Sequence, residues 1–288
     1  MRVGKKILVI SLLLTMLIVT ANGGAGVLAQ EATSTTEPAE GSIREQPPTL
    51  QEQTLLQTYY RNQLETYRAQ EKTYQVAQNQ LDQLQTLAAL EEAVQATKQV
   101  MITRDQVLQT YFKLVRLKLI DTHGVSIEEK TAAIFDLAQL ETELATHQQA
   151  MAQVTDRFGI AERTTDFVLS AARFETVQHR ALCLIMFGQL QTVYDQTAAL
   201  IPEVETQVQQ KTTDFELAKK QRAVAEVKLL AEATQSQLDV IYREIFTVKS
   251  NQPKKFTNSD YTQLATKLQP IYARLSQMHE FIDEVIKL

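Results

Sequence analysis

The sequence predicts an all-α protein: an elongated antiparallel helical bundle or coiled coil built from long helices. Two observations support this fold class. From Thr49 to the C-terminus of the 288-residue chain there are only three glycines and three prolines, so residues that end helices are scarce. Between them, apolar side chains recur every three or four residues, which is the spacing of one helix face. The composition also lacks the Val, Ile and Gly content typical of a sheet protein.

The first 29 residues have the pattern of a secretory signal peptide. Basic residues at positions 2 to 6 precede an apolar run over 7–21, and Val27 and Ala29 occupy the −3 and −1 positions of a cleavage site. The alternative is an uncleaved anchor, which the pattern disfavours because the run is shorter than the ~20 residues that cross a bilayer. We therefore expect an exported protein that is extracellular, periplasmic or at the cell surface.

The net charge of the chain indicates which kinds of partner it is expected to bind. Removing 1–29 takes away three of the 29 basic residues and none of the 34 acidic ones, so the net charge becomes 26 − 34 = −8. A negative chain is not expected to bind nucleic acid or anionic lipid by charge. Membrane contact is then expected only through an uncleaved N-terminus, and a protein partner or self-association is the favoured interaction.

Residues 30–48 are rich in Thr, Ser, Glu and Pro and poor in large apolar side chains. Such a segment cannot bury enough surface to offset the entropy of ordering, which predicts a disordered spacer. The helical body is then a single elongated domain over 49–288.

The first predicted helix spans 49–120. Thr49 and Glu52 form a capping box, and the next helix-ending signal is the segment 121–125, which contains Gly124. A second capping box, Ser126 to Glu129, follows at once, so the first two helices are expected to form an antiparallel hairpin. The buried seam of the first helix is the heptad series Tyr60, Tyr67, Tyr74 and Leu81, which we expect to be core because Tyr rings pack while their hydroxyls reach water.

The second helix is predicted over 126–158, with Leu137, Leu144 and Met151 and then Phe158 at sevenfold spacing. Gly159 is a candidate helix end, and a third helix follows over 161–201. We expect the next chain reversal at either Gly159 or Pro202. Pro202 is compatible both with a kink inside one helix and with the first turn of a new helix.

The last two helices are predicted over 203–249 and 259–287, separated by a loop around Pro253, with Pro270 bending the final helix. The fourth helix carries a heptad seam of Leu217, Val224, Leu238 and Ile245.

The sequence offers little for catalysis. After Thr49 no glycines are spaced for a phosphate loop or a nucleophile elbow, so neither a cofactor site nor a catalytic residue is predicted. Glu143 with His147 and Glu175 with His179 share helix faces at i, i+4, but the further inward carboxylates of a di-metal bundle are missing from the predicted seams. We expect no metal and two histidines satisfied by their helix neighbours.

One segment, 181–187, is apolar on all helical faces. Its sole cysteine, Cys183, is expected to be a buried free thiol. Burial among neighbouring helices explains the run without a membrane, but a membrane-active, pore-forming-like bundle is the alternative function. That alternative would use Leu182, Leu184, Ile185 and Phe187.

Three stretches carry a resemblance to known sequences: 90–98 (LEEAVQATK), 104–108 (RDQVL) and 188–195 (GQLQTVYD). They resemble exported helical coiled-coil proteins of small-genome candidate-phylum bacteria, a group with no known activity. The resemblance implies an exported helical protein and transfers no functional residue. Together with the breaker-poor helices, it favours a non-enzymatic scaffold or interaction protein of the cell envelope.

Overall fold

The structure, a computed structural model, describes residues 50–211, 214–246 and 254–287. Of these, 93% are helical and none is in a strand, which confirms the predicted all-α helical bundle. The predicted signal peptide (1–29) and spacer (30–48) lie outside the described residues. The helices are α1 (Leu50–Leu84), α2 (Leu87–Ile120), α3 (Ile127–Gln153), α4 (Arg157–Lys211), α5 (Asp214–Phe246) and α6 (Asn258–Lys287).

The prediction of one helix over 49–120 is wrong, because the chain reverses at Gln85 and Thr86. Gln85 adopts a left-handed conformation with φ 50°. The Thr86 side chain then caps α2 by accepting a hydrogen bond from the Ala89 amide at 3.3 Å. A two-residue reversal without glycine or proline leaves little trace in the sequence, so the apolar pattern runs across it.

Helices α1 and α2 therefore form an antiparallel hairpin. Ala77, Ala93 and Ala96 make a small-residue cluster that lets the two helices approach closely, and Tyr74 and Leu81 pack against it. Farther along, the Tyr60 and Tyr111 rings lie 6.3 Å apart between centroids. The tyrosine seam of α1 thus faces α2, which in turn also packs against α3 and α4.

The predicted reversal at 121–125 is confirmed. Gly124 has φ 73°, and the Ser126 hydroxyl accepts a hydrogen bond from the Glu129 amide at 3.1 Å. Helix α3 runs back along α2, and Arg116 donates to Glu141 at 2.7 Å between them. The seam residues Leu137, Leu144 and Met151 are fully buried.

The next reversal occupies 154–156, next to Gly159. Asp156 Oδ1 accepts from the Phe158 and Gly159 amides, both at 2.8 Å, and so caps α4. Gly159 thus lies in the first turn of α4 and not at a helix end, and the predicted boundaries at 158 and 161 are wrong. Phe158 is 79% exposed and does not belong to the α3 seam, because α3 has already ended.

The prediction that one helix ends at 201 and another begins at 203 is also wrong. Helix α4 continues through Pro202 to Lys211 over 55 residues, about 82 Å at 1.5 Å per residue. Ile201, Val204 and Val208 are buried on one face of this part of the helix. Their burial offsets the ~3 kcal/mol cost of a proline inside a helix.

The C-terminal part of α4 packs with α5 and α6. The Tyr194 hydroxyl donates to the Ala231 carbonyl at 3.1 Å, and Lys228 pairs with Glu205 at 2.7 Å. In the α5 seam Val224, Leu238 and Ile245 are buried and Leu217 is half-buried. The predicted end of this helix at 249 lies outside the described residues, and α6 includes Pro270 within its length.

A close contact joins the α2–α3 turn to the middle of α4. A Cβ atom placed on Gly188 would lie 2.4 Å from the His123 carbonyl oxygen and 2.5 Å from Thr122 Cγ2. Only glycine lets the turn approach the helix this closely. Gly188 therefore lets the α2–α3 turn pack directly against α4.

We expect Gln85→Gly to raise the free energy of unfolding by about 0.5–1 kcal/mol, because glycine adopts the left-handed conformation without a Cβ clash. The matched control is Gln83→Gly, two residues earlier on the exposed face of α1, which should lower stability by a similar amount. Urea unfolding of both variants measures the difference. Equal losses in the two variants would contradict a reversal at Gln85.

Candidate functional site

A groove runs between α3 and α4. It has a volume of about 830 Å³ and is lined by residues from 135–150 of α3 and 163–174 of α4. Its floor is apolar, with Leu144, Phe167 and Phe174 buried, while Phe135 at its edge is 60% exposed. Sixteen residues of α3 correspond to about 24 Å of helix, so the groove is about four helical turns long.

Charged side chains connect the two helices along the groove. Arg173 of α4 pairs with Glu143 of α3 and also donates to the Gln139 amide oxygen at 2.7 Å. Beyond the groove, Arg180 pairs with Glu129 at 2.7 Å. Within α4, Arg163 pairs with Asp166 at 2.8 Å. The charges at the groove are thus already matched within the chain.

At the base of the groove lies a largely buried cluster formed by Arg104, Asp105, His147 and the carbonyl of Arg163, which we call the His147 cluster. Asp105 is fully buried, and its Oδ1 accepts from Arg104 Nη2 at 3.0 Å. Its Oδ2 lies 2.5 Å from His147 Nδ1. On the other side of the ring, His147 Nε2 lies 2.9 Å from the Arg163 carbonyl oxygen.

The contacts of the ring define its protonation. A carboxylate and a carbonyl oxygen are both acceptors, so each ring nitrogen must carry a hydrogen to bond to the group that faces it. His147 is therefore an imidazolium in this arrangement. It links three helices, because Asp105 belongs to α2, the ring to α3 and the Arg163 carbonyl to α4.

The charges and hydrogen bonds around the His147 ring favour its protonated form. Burial alone would lower the pKa of His147, but the hydrogen bond and negative charge of Asp105 and the bond to the Arg163 carbonyl raise it above the ordinary 6.5, against a smaller opposing effect of Arg104. The Arg104 guanidinium itself lies 3.3 Å from the centre of the Phe167 ring. A cation–π contact of this kind replaces part of the hydration that burial removes.

In this geometry the His147 cluster holds helices together. Both nitrogens of His147 are engaged, so neither offers a lone pair to a substrate proton, as a general base must. Glu143, the nearest acid on the same helix face, is engaged with Arg173.

The expectation that both histidines are satisfied by helix neighbours is right for one of them. His179 Nδ1 lies 2.8 Å from the Glu175 carbonyl of its own helix. For His147 the expectation is wrong, because its partners lie on α2 and α4. Among the residues that the structure describes, no group of three or more His, Cys, Asp or Glu side chains is placed to hold a metal ion.

The apolar segment 181–187 lies in the core. Leu184, Ile185 and Phe187 are buried and Leu182 is half-buried. Cys183 is a buried free thiol, as predicted, and burial raises its pKa to about 12. In the described parts of the chain, no helix has the length and apolarity that crossing a bilayer requires.

The tyrosine seam is also packed inward. Tyr67 is buried, and Tyr60 and Tyr74 are half-buried. Burial raises the pKa of the Tyr60 hydroxyl to about 12. These rings pack between α1 and α2 and lie away from the groove.

Sequence reasoning missed Arg104 and Asp105. The available signal was an adjacent pair of opposite charges within 100–120, a stretch whose apolar residues cover several helical faces. Charges in such a stretch are forced into the interior, where they need partners. His147, the partner of Asp105 on another helix, is 42 residues away along the chain and cannot be read from local spacing.

No protein-family model matches the sequence, and no curated protein or solved structure is significantly similar to it. Functional inference for this chain therefore depends on its own residues and geometry.

We expect Asp105→Asn to lower the free energy of unfolding by about 3–5 kcal/mol, because it leaves the buried guanidinium of Arg104 without its counter-charge. The matched control is Asp166→Asn, which removes a carboxylate paired with Arg163 but 47% exposed, and it should cost less than ~1 kcal/mol. Chemical denaturation measures both. Similar small losses would show that the buried carboxylate does not stabilise the bundle.

Proposed function

We propose that the chain is an exported, non-enzymatic helical interaction protein of the cell envelope or cell surface, and that it holds a protein partner or a second copy of itself in the α3–α4 groove. The observation that carries the proposal is the groove itself. It combines a buried apolar floor with the exposed Phe135 at its edge. Open apolar grooves between helices are surfaces on which amphipathic helices dock.

The state of the charged groups supports binding over catalysis. Arg173 is engaged with Glu143, Arg163 with Asp166, and His147 with Asp105. Groups held in this way define the edges of a surface and are not poised to transfer protons. Export is supported by the signal-peptide pattern of residues 1–29 and by the resemblance to exported helical proteins.

The proposal is tested with a photo-cross-linking amino acid placed at Phe135 in the full chain, in the cells that naturally produce it. The matched site is Leu229 of α5, which is 67% exposed and remote in sequence from the groove helices. We expect a discrete cross-linked product from position 135 and not from 229, and its mass separates a second copy from another protein. Equal products from both sites, or none from 135, would contradict the assignment of the groove.

Substitutions in the groove and outside it then test where the cross-linked partner binds. Phe135→Asp should weaken binding of the cross-linked partner by about tenfold or more, since an exposed aromatic side chain often contributes much of the binding free energy of an interface. Leu229→Asp should leave it unchanged. Because both side chains are exposed, neither substitution is expected to unfold the protein, and circular dichroism verifies this.

A further inference from the structure

The His147 cluster contains a proton whose loss removes a link between helices. The imidazolium donates once to Asp105 on α2 and once to the Arg163 carbonyl on α4. A neutral imidazole has one N–H and one lone pair, so it can serve only one of these two acceptors. The proton facing the carboxylate is held more strongly, because that hydrogen bond joins two charges.

We propose that His147 is a proton-controlled clasp, which closes the base of the α3–α4 groove when doubly protonated and releases α4 when Nε2 loses its proton. After that loss the Nε2 lone pair faces the Arg163 carbonyl oxygen across 2.9 Å. Two acceptors at this distance repel each other, and the N-terminal part of α4 relieves the repulsion by moving away. The link to Asp105 persists, so α2 and α3 stay joined.

The charged groups around the ring allow such a response. From α2, Asp105 favours the imidazolium and Arg104 opposes it, and Tyr67 of α1 interacts with Arg104. From α4, Arg163 is neutralised by Asp166. On α3 and α4, Glu143 and Arg173 neutralise each other. Asp105 is thus the dominant charge that faces the ring.

The direction in which pH changes the stability of the clasp follows from the pKa of His147. His147 has a folded-state pKa above its ordinary value of 6.5. Its contribution to stability is then complete below about pH 6.5 and is lost as the pH rises through the folded-state pKa. The clasp is closed in mildly acidic conditions and opens on the alkaline side. It is a property of the chain alone and does not depend on which partner occupies the groove.

Two measurements on the full chain test the clasp. Nitrogen-15 NMR of labelled histidine should show both ring nitrogens of His147 protonated at pH 6, with a midpoint above 6.5. Hydrogen exchange, corrected for its intrinsic pH dependence, should show residues 157–170 about tenfold less protected at pH 9 than at pH 6, because one charge-assisted hydrogen bond has been lost. Protection of α5 should change by less than about twofold.

Two histidine variants test whether His147 is the source of the pH response. His147→Gln should abolish the pH response of 157–170, whereas His279→Gln should retain it, since His279 lies on α6 and contacts Thr197. The NMR measurement needs no variant and decides the protonation state even if His147→Gln fails to fold. A singly protonated His147 at pH 6, pH-independent protection of 157–170, or a pH response that survives His147→Gln would overturn the proposal.

Discussion

The carboxylate of Asp105 is a fully buried charge, and the packing of α2, α3 and α4 is organised around it. A charge removed from water must be matched by partners of good geometry, or the fold loses several kcal/mol. Arg104 supplies one partner from the same helix and His147 supplies another from α3. The far side of the His147 ring reaches α4 through the Arg163 carbonyl. One buried carboxylate therefore sets the relative positions of α2, α3 and α4, and with them the groove above.

Helix α4 carries this arrangement to the rest of the bundle. Its N-terminal part contacts α2 and α3, and its C-terminal part contacts α5 and α6. Gly188 allows the α2–α3 turn to contact α4 between the two parts, because any side chain there would collide with the His123 carbonyl. The buried face of Ile201, Val204 and Val208 keeps the helix continuous across Pro202. Both features explain how a single helix serves two sets of neighbours.

The fold class and the reversal at Gly124 could be predicted because apolar periodicity and capping boxes are local signals. The reversal at Gln85 could not, since its conformation is favoured by the alanine packing of α1 on α2 and not by a breaker. The predicted helix end at Pro202 was wrong for the opposite reason. Burial of neighbouring apolar side chains outweighed the local tendency of proline to end a helix. In the candidate site, the burial of seam residues such as Leu144 could be predicted from their heptad spacing. The His147 cluster did not, because its partners meet only after α2, α3 and α4 have packed.

A double-mutant cycle between Asp105→Asn and His147→Gln, measured by chemical denaturation at pH 6, tests most directly whether this buried ion pair holds the helices. If the carboxylate and the imidazolium stabilise each other, the two substitutions should be strongly non-additive, with a coupling of about 2 kcal/mol or more. Effects that add to within ~0.5 kcal/mol would show that the two groups act independently, and would contradict the central role of Asp105.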